Sequence, residues 1–102
     1  MPSYRLELEI GRLRSGTAPP EVTDAAVGSC GHHVDATEVV VIGGTPRIRI
    51  RFSVPAASAE EEDADARTAA VAMVQAVDGI ADTGRRRLLR RRQGTWLPVL
   101  WL

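Results

Sequence analysis

Apolar and polar residues alternate with period two in two stretches of the chain. Tyr4, Leu6, Leu8 and Ile10 interleave with Arg5, Glu7 and Glu9, and Ile48, Ile50, Phe52 and Val54 interleave with Arg47, Arg49 and Arg51. Successive side chains of a strand point to opposite faces, so each stretch predicts a strand with one wet face and one buried face. Gly11 suits a bulge after the first of them. Thr37 to Ile42 is β-branched and nearly continuous in apolar character, and predicts a third strand. Gly43-Gly44 separates it from the arginine-bearing strand and predicts a hairpin, because glycine supplies the positive φ that tight hairpin turns need.

After Val54-Pro55 the period changes to 3.6. Ala66, Ala69, Ala70, Met73, Val74, Val77 and Ile80 form one helical stripe. Ser58 and Glu61 have capping-box spacing, and the acidic run Glu60 to Asp65 fills the first turns, where the helix dipole favours carboxylates. Gly79 or Gly84 ends this helix. A shorter helix is predicted over about residues 20–30, opening on Pro20, carrying Val22, Ala25, Ala26 and Val27 inward, and stopped by Gly28 and Gly31. At two or three turns it depends on packing. A last strand is predicted from about Arg86. Gln93-Gly94 reads equally as a bulge within it or as the turn of a terminal hairpin.

The element order is strand, short helix, strand, strand, long helix, strand. It predicts a single α+β domain over residues 1–102, with an apolar C-terminal tail over 96–102. The fold class expected is a ferredoxin-like βαββαβ sandwich: a four-stranded antiparallel sheet with two helices on one face. In that arrangement the strands lie in the order last, first, third, second, which comes with the fold and not from the spacing. It sets Arg5, Glu7 and Glu9 between Arg47, Arg49 and Arg51 on one side and part of Arg86 to Arg92 on the other.

Composition agrees with one self-sufficient domain. A chain of 102 residues, 44% hydrophobic and 25% charged, is globular in character. At that length it hides roughly 60–70% of its unfolded surface without a staple. Only 4% of residues are aromatic, which argues against a base-stacking platform. Net charge is zero, yet all 13 basic residues are arginine and they cluster. On the wet face, Glu7 and Glu9 answer Arg49 and Arg51, and the unmatched excess is chiefly Arg47 and the terminal arginine cluster. Arg47, Arg49, Arg51, Arg90 and Arg92 are therefore the candidate residues for an anion or an acidic partner surface, since guanidinium matches oxyanions bidentately.

Two further clusters change the picture less. The tail is apolar on both alternating faces, so one-sided burial cannot hide all of it. Trp96 and Val99 are candidates to complete the core, and Trp96, Leu100, Trp101 and Leu102 are the candidate interface residues, with a second copy of the chain as the expected partner. Cys30, His32 and His33 are the only group of metal-type side chains. Adjacent histidines diverge on any regular element and no second ligand pair lies elsewhere, so no metal, no other cofactor and no catalytic residue is assigned. Gly43-Gly44 lacks the further glycines of a phosphate loop.

The sequence thus predicts a non-enzymatic protein–protein interaction module or accessory subunit, homodimeric, binding itself or another protein. One alternative is an anion- or nucleic-acid-binding domain using the arginine face, with nucleic acid not favoured. The other is a small metal-binding protein or enzyme using Cys30, His32 and His33. A single cysteine, a charged N-terminal stretch and no apolar run of membrane-spanning length predict a cytoplasmic location and no membrane partner.

Overall fold

In the computed structural model, which describes residues 1–100, five strands and two helices follow one another. They are β1 (Ser3–Leu13), α1 (Pro19–Ser29), β2 (His33–Ile42), β3 (Thr45–Ser53), α2 (Ala59–Asp78), β4 (Ala81–Arg92) and β5 (Thr95–Pro98). The strands form one sheet in the order β2-β3-β1-β4-β5, every neighbouring pair antiparallel. The sheet therefore has five strands and not the four expected from sequence. The fifth exists because residues 93–94 are a hairpin turn. Gln93 and Gly94 both take positive φ (51° and 79°), as Gly43 and Gly44 do in the β2–β3 hairpin (59° and 82°). Positive φ at both central residues is the type I′ geometry, whose twist matches that of the flanking strands.

The period-two pattern of β1 and β3 puts one side of each strand into the core. Tyr4, Leu6, Leu8, Ile50, Phe52 and Val54 are fully buried, joined by Leu88 from β4. Tyr4 and Phe52 stand opposite one another and stack with ring centroids 6.0 Å apart. α2 lays Ala66, Ala69, Ala70, Met73, Val74 and Val77 onto this surface, and α1 adds Val22 and Ala26. Small residues on both helices let them approach the sheet and each other closely. Burying a side chain such as Leu6 or Phe52 contributes about 1.5–3 kcal/mol each. Among the described residues no helix covers the far side of the sheet.

Caps and junctions follow local chemistry. Ser58 accepts the Glu61 N–H at its Oγ, 3.2 Å, starting α2. α1 begins on Pro19 and Pro20, whose missing N–H groups would have no partner there, while Glu21 accepts the N–H of the cap residue Ala18. α2 ends at Asp78 with Gly79 as its cap. Gly84 serves β4 instead, at a place where a Cβ would lie 3.0 Å from Glu9 Oε1. β2 starts earlier than its β-branched run suggests, at His33, with a register shift between Val34 and Ala36. Asp35 at the shift accepts a hydrogen bond from Ser53 Oγ, 2.6 Å. No helix among the described residues is long and apolar enough to cross a membrane.

Candidate anion-binding face

Strand parity decides which arginines share the open face. The register pairs Arg5 with Arg51, Glu7 with Arg49 and Glu9 with Arg47 across β1 and β3, and Glu7 with Arg87 across β1 and β4. Glu38 on β2 stands opposite Arg49, and Trp96 on β5 opposite Arg91. Seven arginines (Arg5, Arg47, Arg49, Arg51, Arg85, Arg87, Arg91) thus meet three glutamates (Glu7, Glu9, Glu38) on the strands of this face or at the hollows that line it.

Glu7 is the electrostatic centre. It is only 2% exposed although it points away from the core. Arg87 donates to Oε1 through Nε and Nη2, at 3.0 and 2.6 Å. Arg49 Nε lies 3.0 Å and Arg5 Nε 3.5 Å from Oε2, and Arg47 Nη1 lies 3.9 Å from Oε1. Burial by itself would raise the Glu7 carboxyl. The Arg87 hydrogen bonds and charge, then Arg49 and Arg5, outweigh it and hold the group below its ordinary range. One carboxylate among four guanidinium groups cannot satisfy them all. The close Arg49 and Arg5 approaches to Oε2 are attractive in distance but too poorly angled for hydrogen bonds.

Arg5, Arg49 and Arg51, and Arg90 on the helix side, each bury an Nε that makes no hydrogen bond among the described residues, and so does Glu7 Oε2. The Arg5 and Arg49 Nε atoms face that oxygen, and Arg49 also donates to Glu38 at 3.0 Å, so on this face only Arg51 combines a buried, unbonded Nε with no acidic partner among the described residues. Arg5, Arg49 and Arg51 line one hollow of about 270 Å³, together with Thr37, Glu38, Arg91 and Trp96. Arg51 and Arg91 have no acidic partner among the described residues. Trp96 forms an aromatic wall: the guanidinium carbons of Arg5, Arg91 and Arg51 lie 4.5, 5.7 and 5.8 Å from its ring centroid. Such contacts hold cations on the indole face without neutralising their charge. A second hollow of about 300 Å³ is lined by Glu7, Arg47, Arg85 and Arg87.

The residues singled out from sequence divide between the two sides of the sheet. Arg47, Arg49 and Arg51 stand together on the open face, but the residue left over is Arg51 and not Arg47: Arg47 reaches Glu9 at 3.5 Å and Arg49 reaches Glu7 and Glu38 at 3.0 Å, whereas Arg51 stands opposite Arg5 and has no acidic partner among the described residues. Arg90 lies on the helix side, where its Nη1 donates to Tyr4 Oη (2.6 Å) and Asp63 (3.0 Å) and its Nη2 to Glu62 (2.7 Å). These bonds tie the start of α2 to β1 and β4. Burial first, then the hydrogen bond to Asp63, pushes the Tyr4 phenol well above its usual range. Arg92 is exposed beside the terminal turn. Val99 packs against the core, but Trp96 does not, because the terminal hairpin turns it onto the arginine face. Leu100 is 86% exposed; Trp101 and Leu102 lie outside the described residues.

Cys30 belongs to the core cluster, and burial pushes its thiol above the ordinary value, away from thiolate chemistry. His33 begins β2 with its Nε2 3.4 Å from Asp35. Among the described residues no group of three His, Cys, Asp or Glu side chains is placed to hold a metal.

Sequence reasoning missed Arg5, Arg91 and Trp96 as members of this site. Alternation from Glu7 points to Arg5. The others depend on the terminal hairpin, which local sequence leaves undecided. No family model matches the chain, and neither a curated protein nor a solved structure matches it.

Proposed function

We propose that the protein is a binding module of ferredoxin-like fold, with β5 as an added edge strand, whose open sheet face holds an anionic group of its partner. The observation that carries this reading is that Arg51 and Arg91, beside Trp96, have no acidic partner among the described residues, and that the Arg51 Nε is buried without an acceptor. Buried donors in native proteins are almost always partnered, so this one calls for an oxyanion or water that brings an acceptor. An oxyanion also offsets the positive charge that Glu7, Glu9 and Glu38 leave unbalanced, and guanidinium groups recognise it by paired, charge-assisted bonds.

Thermal unfolding in phosphate or pyrophosphate, against chloride at equal ionic strength, tests the reading. A ligand that binds only the folded state stabilises by about 2.7 kcal/mol at a hundredfold excess over its Kd. The midpoint is expected to climb with phosphate concentration in the wild type and to stop climbing in Arg51→Ala and Arg91→Ala. Identical midpoints in phosphate and chloride would sink the proposal.

A second reading, self-association, is favoured by a separate observation. β2 is an edge strand, and Val39, Val41 and Ile42 at its end are 48–67% exposed. Exposed apolar edges are pairing templates, and Leu97 and Leu100 add apolar surface at the other edge. Light scattering of Val41→Glu and of a chain lacking residues 100–102 separates the two edges. A dimer mass that falls to monomer in one variant identifies the interface; a monomeric wild type removes this reading.

A further inference from the structure

We infer that the anion held by the open face is the backbone of a single-stranded nucleic acid, with a base stacked at Trp96; the inference rests on the anion-binding reading above. The face holds two hollows in which arginine outnumbers carboxylate, one lined by Arg5, Arg49, Arg51, Arg91 and Trp96 with Glu38, the other by Arg47, Arg85 and Arg87 with Glu7. A ligand with one anionic group fills one of them, whereas a chain of regularly repeated anionic groups spans both. Arg47, Arg49 and Arg51 bridge the hollows from alternate residues of one strand. Their origins therefore step by roughly 6.6 Å, which suits the successive phosphates of an extended strand.

The indole decides among polyanions. Trp96 is part-exposed at the wall of the hollow whose Arg51 and Arg91 lack acidic partners among the described residues. Bases stack on aromatic and guanidinium planes irrespective of sequence, because every base has a π-face. Arg5 already lies over the indole, 4.5 Å from its centroid, so a base stacks at this pair either on the outer plane or in place of the guanidinium. Inorganic polyphosphate and an acidic peptide use the guanidinium groups and leave the indole idle. A duplex keeps its bases stacked on one another and inaccessible to it.

Fluorescence anisotropy of the full chain with end-labelled 12-mers of thymidylate and uridylate provides the test. Binding is expected at low salt, with log K falling linearly against log salt. Arg51→Ala is expected to reduce that slope by about 0.7, the value for one lost phosphate contact on a single strand. Trp96→Ala is expected to weaken binding roughly 5- to 150-fold, the range for one stacked base. Trp96→Phe keeps an aromatic plane and is expected to recover most of the loss, which distinguishes stacking from a folding defect. In Trp101→Phe, Trp96 is the remaining indole, and its emission is expected to be quenched on binding. If polyphosphate of matched charge binds as tightly and Trp96→Ala changes nothing, the nucleic-acid inference falls while the anion reading stands. Preference for a poly-glutamate peptide overturns it in favour of an acidic protein partner. No binding of any polyanion, with no phosphate effect on unfolding, overturns both.

Discussion

Replacing Glu7 by glutamine tests whether the open face is a buried ionic centre or an ordinary solvated ladder. The substitution keeps the shape and one carbonyl acceptor and removes the charge. The carboxylate is 2% exposed and has arginine nitrogens at 2.6, 3.0, 3.0 and 3.5 Å. Removing one partner of a buried ion pair costs about 3–5 kcal/mol, because the remaining charges stay desolvated. Here the arginines are not fully enclosed. Arg87 in particular has a side chain 58% exposed and can rehydrate, which discounts its share. The expected loss is therefore about 2–3 kcal/mol, equivalent to a drop in Tm of roughly 10–20 °C for a domain of this size. Glu9→Gln is the internal control: its carboxylate is 20% exposed and 3.5 Å from Arg47, so about 0.2–1 kcal/mol is expected. The pH dependence supplies a second readout. The folded Glu7 carboxyl sits below its ordinary 4.5, so its contribution is complete above that value and is lost as pH falls through the lower, folded value. Wild type is therefore expected to lose stability in acid faster than Glu7→Gln, and the gap between them to close. Urea unfolding at pH 7 and at points below pH 4.5 measures both. A neutral-pH loss no larger than that of Glu9→Gln, or a gap constant with pH, refutes the buried-centre account.

Two further substitutions probe how the fold positions this face. Gly84→Val places a Cβ 3.0 Å from Glu9 Oε1 and displaces the carboxylate that accepts the Arg85 N–H at 3.0 Å; about 1–3 kcal/mol is expected to be lost, read by urea unfolding. Gln93→Gly relieves a positive φ of 51° at the terminal turn. Left-handed backbone costs a non-glycine residue roughly 1–2 kcal/mol, part of which glycine returns as extra freedom of the unfolded chain, so a gain of up to about 1 kcal/mol is expected by calorimetry.

Strands whose two faces differ in polarity are legible from alternation alone. Ile48, Ile50, Phe52 and Val54 are buried as their alternation requires, and the arginines between them face out. The long helix is equally plain, since its alanine-rich stripe has one solution. β4 is not legible in this way. Arg85-Arg86-Arg87 and Arg90-Arg91-Arg92 place a guanidinium on both parities, and Leu88-Leu89 places a leucine on both. Such a strand carries no period-two signal, so nothing local says which arginine faces the helices. The register answers it: Arg86, Leu88 and Arg90 stand opposite core residues of β1, and Arg87 and Leu89 opposite Glu7 and Arg5. Composition groups Arg90 with Arg47, Arg49 and Arg51, although the strand's parity turns it towards Glu62 and Asp63. The early start of β2 is hidden for a different reason. His33 to Ala36 is polar and mixed, and only Val34 packs against the core, so the stretch belongs to the sheet mainly through backbone pairing with β3.

The fifth strand, which composition does not reveal, is also the element that sets the candidate site apart from a charged ladder. With four strands β4 would be an open edge, and Leu89, which faces away from the core, would be bare. With β5 in place Pro98 stands opposite Leu89, and Leu89 is 3% exposed without belonging to the core cluster. A small apolar floor is thereby added to the arginine face, and Trp96 stands opposite Arg91 within reach of Arg5 and Arg51. A row of arginines answered by glutamates requires no ligand, since each pair is stabilised by roughly 0.2–1 kcal/mol on its own. Arg51 and Arg91, held near an indole with no acidic partner among the described residues, are a different case. Cation–π contacts fix their positions while leaving their charge unpaired, which is the pre-organisation that reduces the entropic cost of binding an anion. The short terminal hairpin, four residues after a two-residue turn, therefore carries more of the functional reading than the long strand on which the arginines alternate.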